Sequence, residues 1–149
     1  MNFPKNKGHL VEVENKKTLE ILAYKSKIYH HTQISDKINV LEAKPYLEIY
    51  NKNKQSIINE FNRHKFSRRI VLNFDNNILT SDNPNCMVLV QFIFRNSELH
   101  AIVYSRSSDI KKYNDDLATI KFILKDISSS INEKIGNIIF IAGSFHKYL

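Results

Sequence analysis

Apolar residues follow two different periods along this 149-residue chain. Short apolar runs and period-two alternation, which are typical of β-strands, occur at residues 18–29, 68–74, 86–95, 98–104 and 137–142. Only Asn96 and Ser97 separate the third of these segments from the fourth, and so short a polar joint predicts an antiparallel hairpin. The stretch DNNILTSDNPN is rich in turn-forming residues and predicts a loop.

The helical period of 3.6 residues occurs twice. It predicts one helix over about 46–64, which would begin directly after Pro45. It predicts a second helix over 114–132, with Asn114 or Asp115 as the N-cap. Each segment has one apolar stripe, so each helix is expected to pack one side against the core.

The order of the predicted elements indicates the fold class. Gly136 separates the second helix from the last strand, and the polar end GSFHKYL (143–149) is expected to leave the core. Strands that pair locally beside a few helices predict an α+β fold, in which one twisted, mixed or antiparallel sheet carries helices on one face. A chain with 42% hydrophobic residues can bury one core of this kind, so we expect a single domain over 1–149.

The strand at 86–95 has large apolar residues on both faces. One face would carry Val88, Val90, Phe92 and Phe94, and the other Leu89 and Ile93. Because one helical layer covers only one face of a sheet, this pattern predicts that a second copy covers the other face in a symmetric homodimer.

The composition indicates the cellular compartment in which the protein is expected. No segment reaches the roughly 18–20 consecutive apolar residues of a membrane span, and the first residues lack the apolar centre of a secretory signal. Cys86 is the only cysteine, so no internal disulfide can form, which is typical of a reducing compartment. We therefore expect a soluble, cytoplasmic protein without membrane association.

The net charge of +7 and the pI near 9.4 are compatible with nucleic-acid binding. However, the lysines are scattered singly or in pairs, which is typical of a solvated surface. The few arginines concentrate in the most distinctive segments, where their planar guanidinium groups would suit phosphate better than lysine does. Nucleic-acid binding therefore stays a minor alternative.

Cys86 begins an apolar segment directly after the polar stretch 83–85. A single cysteine in an apolar strand is usually a small core residue. A position beside a loop also allows access, and neighbouring arginines would favour the reactive thiolate. The sequence leaves both interpretations open.

Arginine and serine residues form a second group of candidates. Arg106 lies in the polar segment YSRSSD, interpreted as a loop before a helix, and offers donors for a phosphate monoester. An ion pair with Asp109 explains this segment equally well. Arg68 and Arg69 offer another arginine pair, for which a basic strand end is the simpler interpretation.

The remaining polar candidates lie near the end of the chain or are dispersed. His146 and Tyr148 could hydrogen-bond a sugar hydroxyl or belong to a frayed terminus. The histidines lack the spacing of metal ligands, so no metal site is expected. Three glycines are too few for a glycine-rich phosphate loop.

Four segments together are more specific than any of them alone. They are SRRIV (67–71), NPNCMVLVQF (83–92), RNSELHAIVYSRSSD (95–109) and GSFHKY (143–148). The series resembles the thymidylate synthase family, which includes the pyrimidine hydroxymethylases and has the motifs SRR, PPCH…QF, QRS.D and GD.H.Y in this order. The resemblance covers residues 67–148.

This resemblance implies a reaction and a set of residue roles. Cys86 would add to C6 of a pyrimidine nucleoside 5′-monophosphate, so that C5 can attack a one-carbon donor of the methylenetetrahydrofolate type. The implied substrate-binding residues are Arg106 and Ser107 for the phosphate, Arg68 and Arg69 from the second subunit of a homodimer for the same phosphate, Asp109 for the base through its main chain, and His146 and Tyr148 for the sugar 3′-hydroxyl. The resemblance also implies that Gln91 lies in the sheet at the dimer interface.

The chain departs from the family pattern at several positions. Met87 replaces a histidine, and Ser144 replaces an aspartate that is associated with folate. The base-reading asparagine has no clean match: Asp116 aligns with it once a one-residue gap is allowed, and Leu117 without a gap. A carboxylate there resembles the hydroxymethylases that take cytosine. No segment is recognised as the one that carries the family's proton-relay glutamate.

The leading hypothesis is therefore a cysteine-dependent methyl- or hydroxymethyltransferase that acts on C5 of a pyrimidine nucleotide. The alternative is a non-catalytic, nucleotide-binding or regulatory member of the same family that keeps the phosphate site. The identity of the base, the sugar and the carbon donor stays open.

Overall fold

The computed structural model describes residues 3, 8–28, 31–74 and 78–149. Its elements in chain order are β1 (His9–Val13), β2 (Lys16–Ile28), a short 3-10 helix (His31–Gln33), α1 (Val40–Arg63), β3 (Val71–Asn73), β4 (Met87–Arg95), β5 (Glu98–Asp109), α2 (Tyr113–Ile131) and β6 (Lys134–Tyr148). The strands form one six-stranded sheet in the order β1-β2-β6-β5-β4-β3. Only β5 and β6 run parallel to each other, so the predicted mixed sheet of an α+β fold is confirmed.

Both helices contribute to a core on one face of the sheet. In the sheet this core consists of residues that pair across three strands: Val90, Phe92, Phe94, Leu99, Ala101, Val103, Ile138 and Phe140. Helix α1 contributes Tyr50 and Phe61, and α2 contributes its apolar stripe around Ile120 and Ile123. The prediction of helices on one face is confirmed, because the alternate residues of the same strands remain partly accessible.

Helix α1 begins earlier than the sequence predicted. It starts at Val40, and Pro45 lies inside it rather than before it. The side chain of Asn39 accepts a hydrogen bond from Glu42 N at 3.3 Å and caps the helix. The Asn39-x-x-Glu42 spacing is a capping signal in the sequence that places the start of the helix here, whereas Pro45 does not mark the start.

The predicted hairpin is confirmed, but β5 is longer than expected. Asn96 and Ser97 both have positive φ, 53° and 62°, as a two-residue hairpin turn of primed type requires. Strand β5 continues through Asp109, so Arg106 lies on a strand and the interpretation of SRSSD as a loop is wrong. Main-chain pairing with β6 holds this polar segment in the sheet, which side-chain polarity alone did not reveal.

Three expectations about the second half of the chain are corrected. Lys112 is the N-cap of α2 and provides no side-chain cap, so neither Asn114 nor Asp115 has that role. Gly136 lies inside β6, because the left-handed Asn132 (φ 55°) already ends the helix. The end of the chain does not leave the core: β6 runs to Tyr148, and Phe145 is fully buried.

Four neighbouring strands are irregular at one level of the sheet, and three of them change side-chain phase there. Buried residues recur every second position along a regular strand. Here an interval of three separates Met87 from Val90, Ser105 from Ser108, and Ala142 from Phe145. The residues that fall out of pairing at this level are Ala23 in β2, Gly143 in β6, Arg106 in β5 and Val88 in β4.

This line of irregular residues, which we call the kink, has local causes. Ala23 has φ 51°, a left-handed conformation that interrupts regular pairing with β6. A Cβ at Gly143 would lie 3.0 Å from the Arg106 carbonyl oxygen and the Tyr104 hydroxyl, so the close approach of β5 requires glycine. The kink also removes Val88 from the face predicted for it, since Val88 is half-buried at a bulge.

The second face of the sheet has an apolar centre without a helical cover among the described residues. Its partly accessible residues pair across the strands in the rows Leu89–Tyr104–Ile141 and Ile102–Ile139, with Ile93 beside them. We call this surface the open face. The two faces of β4 therefore have the apolar character that the sequence predicted.

Candidate functional site

A pocket of about 420 Å³ lies where the kinked end of the sheet meets the first turns of both helices. Its lining combines the loop before β4, the end of β5, and one side of α1 and α2. The lining residues are Leu41, Glu42, Pro45, Tyr46, Asn83, Pro84, Asn85, Cys86, Ser107, Ser108, Asp109, Lys112, Asp116 and Tyr148. Five of the residues singled out from the sequence are among them: Cys86, Ser107, Asp109, Asp116 and Tyr148.

Cys86 lines this pocket, and Arg106, which is not one of the lining residues, contacts Cys86. The Arg106 Nη2 lies 3.9 Å from Cys86 Sγ, and Arg106 N donates to Cys86 O at 2.9 Å. The guanidinium also donates to the carbonyl oxygens of Asn85 and Pro84, each at 3.2 Å. The arginine therefore holds the loop before β4 and faces the thiol, whereas Asp109 accepts from Lys111 N instead of pairing with Arg106.

The electrostatic environment of Cys86 differs from the sequence expectation. The thiol is partly buried, and this burial raises its pKa above the ordinary value. Arg106 acts in the opposite direction and favours the thiolate, as does Lys112. Burial prevails, so a neighbouring arginine does not by itself make Cys86 a thiolate in the free protein.

Tyr46 fixes the main chain at the nucleophile candidate. Its hydroxyl accepts from both Cys86 N and Met87 N at 3.1 Å. These two N–H groups lie at the start of β4, beside the kink. The Tyr46 hydroxyl of α1 accepts a hydrogen bond from each of them. Burial raises the pKa of Tyr46, so its hydroxyl keeps its proton, and Tyr46 also lines the pocket.

Asp116 places a buried carboxyl group in the same pocket. Its side chain is on the first turns of α2, and only 7% of the residue is exposed. Burial raises its pKa from 3.8 to about 7, with a further contribution from Glu42 and Asp115, while Lys112 acts in the opposite direction. The carboxyl group therefore changes its protonation state near neutral pH, and it can donate or accept a hydrogen bond.

Glu42 and Lys112 form an ion pair at the side of the pocket, with 3.2 Å between Nζ and Oε1. Glu42 raises the pKa of Lys112 and, with Asp116, that of Cys86. A second carboxyl group thus lies on α1 within the pocket lining, where the sequence comparison recognised no glutamate. Its capping relation to Asn39 was the only signal in the sequence that tied Glu42 to a defined position.

The end of β6 brings His146 and Tyr148 to the pocket side of β5. Ser107 Oγ lies 3.5 Å from His146 Nδ1, and the ring centroids of His146 and Tyr148 are 5.1 Å apart. His146 is buried and Tyr148 is 38% exposed. The interpretation of this pair as part of a frayed terminus is wrong, because β6 pairs with β2 and β5 over these residues.

Arg68 and Arg69 do not lie in the Cys86 pocket of their own chain. They belong to a different concave surface beyond the end of α1, which they share with Arg63, Lys65 and Arg95. Gln91, a residue of the open face, donates from Nε2 to Arg68 O at 3.0 Å. Arg68 is therefore anchored at the edge of the open face and exposed there.

Comparison with known protein families shows to which family this chain belongs. A family model described as thymidylate synthase matches residues 22–149, most of its length. The chain belongs to the thymidylate synthase family. Curated proteins give no match. The match extends the region of resemblance from the motifs at 67–148 back into β2.

Membership of the thymidylate synthase family supports a methyltransferase-type function at a pyrimidine. Among the described residues, no group of three or more histidine, cysteine, aspartate or glutamate side chains is arranged to hold a metal ion. Neither described helix combines the length and apolarity needed to cross a membrane.

Proposed function

We propose that this protein transfers a one-carbon group, methyl or hydroxymethyl, to C5 of a pyrimidine nucleoside 5′-monophosphate, with Cys86 as the nucleophile. The observation that carries the proposal is the 3.9 Å contact between the Arg106 guanidinium and the thiol of Cys86, which lines a pocket that fits a nucleotide in size. The family assignment is consistent with this chemistry.

Different residues bind the phosphate, the sugar and the base of the nucleotide. Arg106 and Ser107 bind the 5′-phosphate, since a guanidinium and a hydroxyl make charge-assisted and neutral hydrogen bonds to phosphate oxygens. His146 and Tyr148, next to Ser107, bind the sugar hydroxyl. Asp116 and the main chain at Asp109 bind the base, because both residues line the same pocket as Cys86.

Cys86 must lose its proton before it adds to C6. The thiolate then forms the S–C6 bond while the ring electrons move to C5, which becomes the carbanion that receives the new carbon. Loss of the C5 proton and expulsion of Cys86 restore the aromatic ring. Because burial raises the pKa of the free thiol, the proton passes to a carboxylate of the pocket, Glu42 or Asp116, or to water.

When bound, a methylenetetrahydrofolate-type molecule would supply the carbon and, for a methyl product, also the hydride that reduces it, whereas a hydroxymethyl product takes its oxygen from water. Leu41, which is 85% exposed, and Pro45, both on α1 in the pocket lining, would hold this molecule. Ser144 does not line the pocket and hydrogen-bonds Glu20, so the folate contact of the family's aspartate is not reproduced by its counterpart.

A homodimer completes the phosphate site in this proposal. The partner contributes Arg68 and Arg69. Both are exposed at the edge of the open face, and neither lines the Cys86 pocket of its own chain. Pairing two open faces would bury the apolar rows of β4, β5 and β6.

Exchange of a C5 tritium label with water tests the chemistry, because exchange requires addition at C6. We expect exchange with at least one of the uridine or cytidine monophosphates, ribo or deoxy. Cys86→Ser should bind that nucleotide with nearly unchanged affinity and lose exchange, since a hydroxyl is a much poorer nucleophile than a thiolate. Undiminished exchange by Cys86→Ser would refute the role of Cys86.

A second function, nucleotide binding without catalysis, is favoured by two observations. Burial holds the pKa of Cys86 above its ordinary value, and Met87 stands where the family has a histidine. Wild-type protein that binds a nucleotide but exchanges no label with any of the four would establish this alternative.

A further inference from the structure

Ser108 is exceptional among the buried hydroxyl groups of the protein. The other buried serines and threonines of the described chain all have hydrogen-bond partners: Thr18, Ser67, Ser105, Thr119 and Ser128. The Ser108 hydroxyl is equally buried, with 2% of the residue exposed, and has no partner among the residues that the structure describes. A buried hydroxyl without a partner costs free energy, so its presence requires an explanation.

The position of Ser108 supplies that explanation. It is the first buried residue of β5 after the kink, and it lines the pocket that contains Cys86 and Asp116. The kink changes the phase of β5 between Ser105 and Ser108, so that Ser107 and Ser108 both reach the pocket lining. The orphan hydroxyl therefore lies where a bound molecule can satisfy it.

The charges of the pocket indicate which part of a nucleotide the Ser108 hydroxyl would contact. The pocket lining contains three acidic residues, Glu42, Asp109 and Asp116, and one lysine, Lys112, and this excess of acidic groups disfavours a phosphate dianion beside Ser108. The cationic Arg106 and the Ser107–His146 pair are available for the phosphate and sugar instead. A neutral hydroxyl that can both donate and accept suits a neutral, planar group with mixed hydrogen-bonding atoms.

We infer that Ser108 is a specificity-determining residue whose hydroxyl hydrogen-bonds the pyrimidine base, together with the Asp116 carboxyl group. Asp116 is buried at the start of α2 and lines the same pocket as Ser108 of β5, so one ligand can reach this pair of polar side chains. The base completes this pair. The inference rests on the proposed function, because it assumes that a nucleotide occupies the pocket.

Ser108→Ala tests the inference through two measurements that separate binding from folding. Calorimetric titration should show about three- to tenfold weaker binding of the nucleoside monophosphate that wild-type protein prefers, the loss expected for one neutral hydrogen bond. Competition with deoxyribose 5-phosphate, which has no base, should be unchanged. The melting temperature should stay the same or rise, because the methyl group of alanine replaces an unsatisfied hydroxyl.

Ser128→Ala is the matched control. Ser128 is a buried serine on α2 whose hydroxyl donates to Lys125 O at 2.9 Å, away from the pocket. Its replacement should lower the melting temperature and leave nucleotide affinity unchanged.

Each remaining outcome decides the matter. Wild-type affinity in Ser108→Ala, or an equal loss for deoxyribose 5-phosphate, overturns the role of Ser108 in base binding and leaves the proposed function standing. A lower melting temperature with unchanged affinity assigns Ser108 to folding alone. If wild-type protein binds deoxyribose 5-phosphate and every nucleotide equally well, no base is read and the inference fails; if it binds none of them, the proposed function fails with it.

Discussion

Arg106 combines a structural and an electrostatic role in one side chain. Its guanidinium donates to the carbonyl oxygens of Pro84 and Asn85, and the same group faces the Cys86 thiol. Lysine could supply the charge but not several donors in one plane. Substitution of Arg106 is therefore the most direct test of the proposed phosphate site.

Arg106→Lys should weaken the binding of nucleoside monophosphates by about tenfold or more, because one charge-assisted hydrogen bond contributes roughly 1.5–3 kcal/mol. Titration calorimetry measures this loss. Arg63→Lys is the control: Arg63 is exposed, pairs with Glu60 and lies outside the pocket, so its affinity should equal that of wild type. Unchanged binding by Arg106→Lys would remove Arg106 from the phosphate site.

Asp116 should leave a signature in the pH dependence of stability. Its pKa is raised from 3.8 to about 7 in the folded protein, so the folded state holds a proton that the unfolded state has lost between these values. The stability that Asp116 contributes is complete below about pH 4 and is lost as the pH rises to about 7. A shift of this size corresponds to at most about 4 kcal/mol, at ~1.4 kcal/mol per pKa unit.

Asp116→Asn should therefore gain stability relative to wild type as the pH increases from 4 to 7. Urea unfolding across this range measures the difference, in which the effects of the other carboxyl groups cancel. Asp82→Asn, at an exposed turn, should track the wild-type curve. A constant difference between Asp116→Asn and wild type would show that Asp116 is not protonated in the folded protein.

At the scale of elements, the kink brings the site together. It places Arg106 against Cys86 and changes the phase of β5 so that Ser107 and Ser108 both line the pocket. Helix α1 adds the Tyr46 hydroxyl, which ties it to the first residues of β4. Neighbouring strands thus deviate together, and the deviation belongs to the sheet rather than to any one strand.

Ala23 provides a test of strain in the kink. Its φ of 51° is a conformation that costs an L-residue roughly 1–2 kcal/mol and glycine almost nothing. Ala23→Gly should increase the free energy of unfolding by about 0.5–1 kcal/mol, as measured by urea denaturation. Ala101→Gly, at a buried position of β5 where φ is not positive, should instead decrease it. A loss of stability in Ala23→Gly would mean that the alanine is not strained.

At the scale of the whole molecule, the open face is the feature on which the prediction of a homodimer rests. Its Leu22 and Val71 are 61% and 51% exposed, and the centre between them is formed by isoleucine side chains of β5 and β6. Contiguous exposed apolar patches on small proteins often mark interaction sites, which is why we predict association through this face. Arg68 lies at its edge, held by Gln91, so association would carry this arginine toward another chain.

Ile139→Glu should convert the predicted homodimer to a monomer, because it would bury a charge in the contact between the two open faces. Light scattering at micromolar concentration measures the molecular mass. Leu79→Glu is the control, since Leu79 is completely exposed on a turn outside the open face. A wild-type protein that is already a monomer would contradict the prediction.

Mixing two inactive variants tests whether the phosphate site is shared between subunits. Arg68→Ala keeps Cys86, and Cys86→Ser keeps Arg68, so one of the two sites in a mixed dimer would be intact. C5 exchange should reappear on mixing, up to about half of wild-type activity per mixed dimer. Absence of any recovery from dimers shown to exchange subunits would place Arg68 outside the partner's site.

The sequence by itself determined the elements whose signals are local. Apolar periodicity located both helices and five of the strands, and the short joint at Asn96 and Ser97 specified the hairpin, because side-chain period and turn length are properties of neighbouring residues. The ordered motifs determined the family in the same way, as the match over residues 22–149 confirms. The start of α1 was also available in the Asn39-x-x-Glu42 spacing but was misjudged.

Only the tertiary structure decided what depends on distant parts of the chain. Main-chain pairing with β6 makes the polar segment around Arg106 a strand, although its serines resemble a loop. Burial sets the pKa of Cys86 against the influence of Arg106, and helix packing brings Glu42 and Tyr46 to the pocket. The missing partner of Ser108 is likewise invisible in the sequence, because a hydroxyl is satisfied or orphaned only by the atoms that folding places around it.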